Sequence, residues 1–286
     1  MFGKCFCIIL QKTFLNEKVF YQCGTKQNSH MKISIHPDYR YLEKDLRQIV
    51  SGNYTVEKVF CKNRNIVEKV VLGGKPFVVK TFKRPTLANC IIYTFLRKSK
   101  ARRAYEYALM LLEKGVKTPF PVAYIEVGKH GFFHTGYLVT EYFDAPTLSQ
   151  IVPGQFSHEE LSRLGSSFVR FTVGLQEKRI LPLDYNPGNI FYFKDEKNGG
   201  YDFALTDINR MRFGRVPLTR SIMRSFEQLG VSSEHLYKFL LNYSIERGVD
   251  LDFCMYQFLS FRIRKKIRRF MKGRLKERVE KRKGVK

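Results

Sequence analysis

The chain has 286 residues, 44% hydrophobic and 27% charged, which suits a large domain or two lobes and excludes a disordered chain. Its 51 Lys+Arg against 26 Asp+Glu leave a formal charge of +25 and favour a polyanionic partner: nucleic acid, an anionic membrane face or a phosphorylated substrate. No apolar run reaches the roughly 18–20 residues of a membrane span; CFCIIL and the stretch 87–96 are too short. The six cysteines form no C-x-x-C pair and read as reduced, packed thiols of a cytosolic protein. No small-residue cleavage site follows CFCIIL, so no signal peptide is expected.

Residues 1–30 lack clear periodicity and read as an N-terminal extension, with Met31 as the expected native start of the domain. Three runs then alternate as strands do: YTVEKVF (54–60), NIVEKVVL (65–72) and KPFVVKTF (75–82), with Gly73-Gly74 signalling a hairpin between the last two. A mixed basic stretch, 83–100, precedes a helix in ARRAYEYALMLLEKG. Its apolar positions Ala104, Ala108, Leu111 and Leu112 recur at helical spacing, and Gly115 is its stop. VAYIEVG and GYLVTEYF are two further strands, so the first half reads as a sheet with one inserted helix.

From Ser157 the character changes. Ser157 and Glu160 form a capping-box pattern that opens a helix, and the helix delivers the chain into LPLDYNPGNIFYF (181–193). IFYF and YDFALTD are short strands around the polar turn KDEKNGG, and helices are expected at about 219–229, 233–247 and 251–282. Asp184, Asn189 and Asp207 therefore fall on two short loops, an arrangement that suggests a phosphate site. Asn186-Pro187-Gly188 fixes their placement, because Pro restricts φ and Gly permits a sharp bend. A structural Asx turn would use the same residues.

These motifs, in this order, resemble the protein-kinase-like fold, and most closely the bacterial lipopolysaccharide core kinase (Kdo/WaaP) family. The resemblance spans roughly residues 54–285 and is carried by VVKTF around Lys80, the helix around Glu106, LVTEYF at 138–143, LDYNPGNI at 183–190 and LTDINRMRFG at 205–214. It implies an α+β bilobal architecture: an antiparallel N-lobe with one helix (31–143) and a mainly helical C-lobe (144–286). It implies that Lys80 meets the α- and β-phosphates of ATP and that Glu106 pairs with Lys80, with Glu113 as the fallback. Backbone groups of Glu141 and Phe143 would read the adenine. Asp184 would serve the acceptor hydroxyl's proton, and Asn189 and Asp207 would hold Mg²⁺. The bland readings are an edge lysine, a solvated glutamate beside Arg102 and Arg103, and a turn aspartate.

Several departures bear on the acceptor. Pro182 stands where protein kinases carry His, and Ile208-Asn209-Arg210 follows Asp207 in place of Phe-Gly. No Ala-Pro-Glu follows, so the peptide platform of protein kinases is not expected and a glycolipid or small acceptor is. No G-x-G-x-x-G joins the first two strands; Lys62-Asn63-Arg64-Asn65 occupies that turn, and its amides with Lys62 or Arg64 would cover phosphates instead.

The tail FRIRKKIRRFMKGRLKERVEKRKGVK places Ile263, Ile267, Phe270, Met271, Leu275 and Val279 on one face of a basic amphipathic helix. It suits either attachment to the inner face of an anionic inner membrane or a final helix packed on the C-lobe. Nucleic acid is a poor fit, because no interleaved aromatics or reading motif is present. The leading expectation is a cytoplasmic ATP- and Mg²⁺-dependent kinase of a lipid-A-linked sugar, a Kdo or heptose. The alternatives are a kinase of protein side chains or another small molecule, and an inactive kinase-fold module that binds an anionic partner.

Overall fold

A computed structural model describes residues 29–63, 65–196, 199–230 and 233–283, without the side chains of 29, 233–234 and 275–283. Six antiparallel strands build the first layer in the order β1-β5-β6-β4-β3-β2. They are β1 (Ser29–Ile35), β2 (Thr55–Lys62), β3 (Asn65–Leu72), β4 (Lys75–Phe82), β5 (Pro121–Lys129) and β6 (Phe132–Glu141). The Gly73-Gly74 hairpin forms as expected, both residues at positive φ (54° and 78°), which suits the twist of a two-residue hairpin. β1 begins two residues before Met31, and residues 1–28 of the expected extension lie outside the described ones.

The period of two along β4 divides the sheet's faces. Phe77 and Val79 point into one cluster with Leu42, Leu46 and Ile49, which come from a 3-10 turn, helix α1 (Glu43–Gln48) and the turn after it. Phe82 points to the other face, where it packs with Leu138, Tyr124 and Ala101, Ala104 and Tyr105 of helix α3 (Lys100–Glu113). Ser99 caps α3 by accepting from the Arg102 amide at 3.1 Å, and Gly115 follows its end at φ 65°.

The first layer thus holds more than the one expected helix. α1 carries a single buried residue, Leu46, so its amphipathic signal is short. Helix α2 (Leu87–Phe95) buries only Cys90 and leaves Leu87, Ile91 and Phe95 exposed, so its apolar residues trace no inward stripe.

The second layer is mainly helical, with α4 (His158–Glu177), α5 (Thr219–Phe226), α6 (Ser233–Arg247) and α7 (Leu251–Lys283). The Ser157–Glu160 capping box opens α4 with both hydrogen bonds made, at 3.1 Å each. Hairpin β8 (Ile190–Asp195) and β9 (Gly200–Leu205) packs on α4 through Phe203 and Phe168. A short pair that sequence periodicity did not signal, β7 (Ile180–Pro182) with β10 (Met211–Phe213), brackets the loop that carries Asp184. One core joins these elements, centred on Tyr185, Phe226, Phe239 and Tyr243, and it takes in Ala108, Leu111 and Val116 from the α3 end of the first layer. Among the described residues no helix is long and apolar enough to cross a membrane.

Candidate active site

The chain between α3 and β5 ties the two layers together. The Leu205 amide donates to the Lys117 carbonyl at 3.0 Å, and the Thr118 hydroxyl donates to the Leu205 carbonyl at 2.7 Å. β9 is therefore anchored two residues before Asp207. Between the layers lies a cavity of about 890 Å³, lined on the sheet side by Val67, Val78, Lys80 and Leu138, and opposite by Asn189, Phe191, Asp207 and Ile208. A cavity of this size with apolar walls and a few convergent polar groups is what a nucleotide-sized ligand requires.

Lys80 lies at the centre of the sheet, opposite Val67 on one side and Leu138 on the other, so its side chain has to leave by the cavity face. Its ammonium meets Asp207 Oδ1 at 2.7 Å, with the lysine side chain 14% exposed and the aspartate 30%. Asp207 adopts a left-handed backbone (φ 50°), uncommon for a residue with a Cβ, and accepts from Asn209 Nδ2 at 2.5 Å. Strain of this kind is held here by the contacts that the carboxylate makes with Lys80 and Asn209.

The loop with Asp184 and Asn189 is tied to the same corner. Asn186 does make the Asx turn, accepting from the Gly188 amide at 3.0 Å, and that turn shapes the loop without displacing its other side chains. Asn189 donates from Nδ2 to the Asp184 carbonyl at 3.1 Å, and its own carbonyl accepts from the Thr206 amide at 2.9 Å. Asp184 accepts a weak hydrogen bond from Asn186 at 3.4 Å and has Arg210 at 3.9 Å. Lys80, Asn189 and Asp207 line one cavity; Asp184 sits at its edge, in a narrow recess shared with Asn189, Asp207 and Arg210.

The expected Glu106–Lys80 pair is not made. Ala104 and Ala108 turn toward the cavity, which places Glu106 on the far side of the helix. There it accepts from Lys98 at 2.7 Å and from Arg102 at 2.9 Å. Burial works against its charge, but these two hydrogen bonds win and hold its pKa below the usual carboxylate value. Glu113, the fallback, is exposed at the end of α3. Asp207 takes the place Glu106 was expected to fill. Arg103 departs from Arg102 as well: it is buried, and burial together with repulsion from Arg97 lowers its pKa.

At the hinge, where β6 ends and the chain passes to the second layer, the Glu141 amide donates to the Phe120 carbonyl at 2.9 Å, so Glu141 has only its carbonyl to offer a base. The Phe143 carbonyl accepts from the Ala145 amide at 3.1 Å, leaving the Phe143 N–H as the group to offer. The two side chains do different work: Glu141 accepts from the Tyr39 hydroxyl, and Phe143 packs on Phe191 at 5.2 Å. The β2–β3 turn reaches the cavity with Asn63 and Asn65; Arg64, one of the two cations expected there, lies outside the described residues.

Mg²⁺ takes oxygen ligands and is commonly held by one or two protein groups together with substrate phosphates. The Asp207 carboxylate and the Asn189 amide oxygen fit that donor set. Among the described residues no cluster of three or more His, Cys, Asp or Glu suits a metal bound by protein alone.

A twisted antiparallel sheet carrying a central lysine, a hinge strand and a helical layer with this loop pair make up the bilobal protein-kinase-like fold. Among solved structures, one described as WaaP in complex with acyl carrier protein is similar: TM-score 0.55 and 18% identity over 82% of this chain and 97% of that one. No family model matches the sequence, and no curated protein does. The likeness is thus one of fold, carried by packing more than by residue identity.

Proposed function

We propose that the protein is an ATP- and Mg²⁺-dependent kinase that transfers the γ-phosphoryl group to a sugar hydroxyl, a Kdo or heptose, on a lipid-A-linked acceptor. The observation that carries the nucleotide part is the Lys80–Asp207 pair at 2.7 Å inside the interlobe cavity, beside Asn189 and the hinge. The acceptor rests on the sequence resemblance, on the likeness to WaaP and on the positive charge.

Each residue then has a role that its position supports. The Glu141 carbonyl and the Phe143 N–H face the adenine edge, with Phe191 and Leu138 as apolar walls. Lys80 binds phosphate oxygens from the sheet side. Asn189 and Asp207 would hold Mg²⁺, which supplies charge neutralisation at the phosphates when bound. Asp184 orients the acceptor hydroxyl and takes its proton as that oxygen bonds to the γ-phosphorus and the bond to the β–γ bridging oxygen breaks. Arg210, 3.9 Å from Asp184, is the cation beside that carboxylate and helps to aim it.

Location is part of the same reading. We place the enzyme in the cytoplasm, on the inner face of the inner membrane, with α7 as the contact. Ile263, Ile267, Phe270 and Met271 are each more than half exposed on this helix.

A second reading, an inactive kinase-fold module, draws on Pro182 in place of the protein-kinase His and on the missing glycine loop. Calorimetry of ATP with and without Mg²⁺, on wild type and Asp207→Ala, separates the two. Mg²⁺-dependent binding abolished by the substitution supports the kinase; a folded wild type that binds no ATP at millimolar concentration leaves the scaffold reading. Product analysis with sugar, glycolipid and peptide acceptors then decides the substrate class.

A further inference from the structure

A second concavity, of about 810 Å³, opens between α5 and α7 beside the Asp184 loop. Among the described residues nine Lys and Arg line it against a single acid, Glu227, which already accepts from Lys265 at 2.5 and 2.8 Å. The cations come from three separate elements: Arg212 on β10, Arg220 and Arg224 on α5, Arg264, Arg268 and Lys272 on α7. Among the described residues Arg212, Arg224, Arg264, Arg268 and Lys272 make no ion pair, and Arg220 is steadied 5.8 Å over the Phe261 ring.

A merely solvated basic helix spreads its charges around its circumference. Here the positive charges of three elements converge on one concave wall, where their fields add and draw an anion. Guanidinium groups are suited to phosphate in particular, through paired N–H donors. Leu183 and Arg210 line the inner end of the cleft; Leu183 is fixed by Gln228 Nε2 donating to its carbonyl at 2.8 Å, and it directly precedes Asp184.

We propose that this cleft is the acceptor's anion subsite. It takes the phosphate groups of a multiply phosphorylated sugar or polyol and brings a neighbouring hydroxyl to Asp184. Delivery to Asp184 rests on the kinase reading; binding of the phosphates does not.

The test is calorimetric titration of the full chain with inositol hexakisphosphate, and flotation with phosphatidylcholine vesicles with or without phosphatidylinositol 4,5-bisphosphate. Two charge-matched pairs are compared: Arg224→Gln with Arg264→Gln inside the cleft, and Arg262→Gln with Lys266→Gln outside it. The expected result is a loss of affinity of about tenfold or more for the first pair and little change for the second. Soluble-ligand binding identifies a free phosphorylated sugar as the source, and cleft-dependent binding to the phosphoinositide vesicles alone identifies a lipid head group; both uphold the subsite. Equal losses from the two pairs, no loss from either, or equal displacement by polyglutamate of matched charge overturns it. Mg²⁺-ATP affinity measured on the same proteins reports folding and the nucleotide site separately. The kinase reading can therefore fail while the subsite stands, and the reverse.

Discussion

Lys80→Met keeps the aliphatic stem and removes the charge paired with Asp207. Phosphoryl transfer should fall by about a hundredfold or more, the usual loss when a preorganised charge partner of the transition state is removed. Glu106→Gln should behave differently. Its carboxylate is held by Lys98 and Arg102 on the outer side of α3, so activity should stay within about twofold of wild type, whereas a Lys80–Glu106 pair would demand a loss like that of Lys80→Met. Stability carries a pH signature of the same pair of bonds. A carboxyl whose folded pKa is depressed stabilises the fold above its unfolded value of about 4.5, and that contribution disappears as pH falls through the lower folded value. Acid unfolding curves of wild type and Glu106→Gln should therefore converge below that window. Partial exposure keeps the difference at neutral pH under about 1 kcal/mol.

One contact within an element and one between layers bear on the site's frame. Ser157→Ala deletes the cap of α4, and about 1 kcal/mol of stability should go with it, read as a lower urea midpoint with an unchanged slope. Thr118→Val removes the hydroxyl that reaches the Leu205 carbonyl from the other layer. Its expected cost is about 1–2 kcal/mol, with a severalfold weaker affinity for Mg²⁺-ATP, since β9 loses an anchor two residues before Asp207. A stability loss with unchanged nucleotide affinity would show that Thr118 braces the lobes without positioning the site.

For the molecule as a whole, α7 presents two different faces. Cys254, Phe258, Lys265 and Lys272 follow one side, toward the core and the cleft, while Tyr256, Ile263, Ile267 and Phe270 follow the other and stay exposed. The side chains of Leu275 and Val279, the last positions of the expected apolar stripe, lie outside the described ones. Ile263→Ser with Ile267→Ser should leave the fold and nucleotide affinity intact and release the protein from anionic vesicles. Neutral vesicles should bind weakly at the outset, since each cation near an anionic surface contributes about 1 kcal/mol. Retention of the variant on anionic vesicles would assign attachment to charge alone.

The paired strands, the Gly73-Gly74 hairpin, the Ser157 cap and the loops of Asp184, Asn189 and Asp207 were legible in the residues, because each is a local device: alternation, a positive-φ turn, a side chain bonding to a nearby amide. β1, α1 and the β7–β10 pair were not, since short elements acquire their stability from partners distant in sequence. The partner of Lys80 belongs to the same category. Helical spacing placed Glu106 on the right helix, but which face of α3 looks inward depends on Ala104 packing with Phe82 and Leu138 of the sheet and on Ala108 packing into the helical-layer core. Convergence of β10, α5 and α7 on one basic cleft likewise appears only when the chain has folded, because charge composition records how many cations there are and three-dimensional packing decides where they meet.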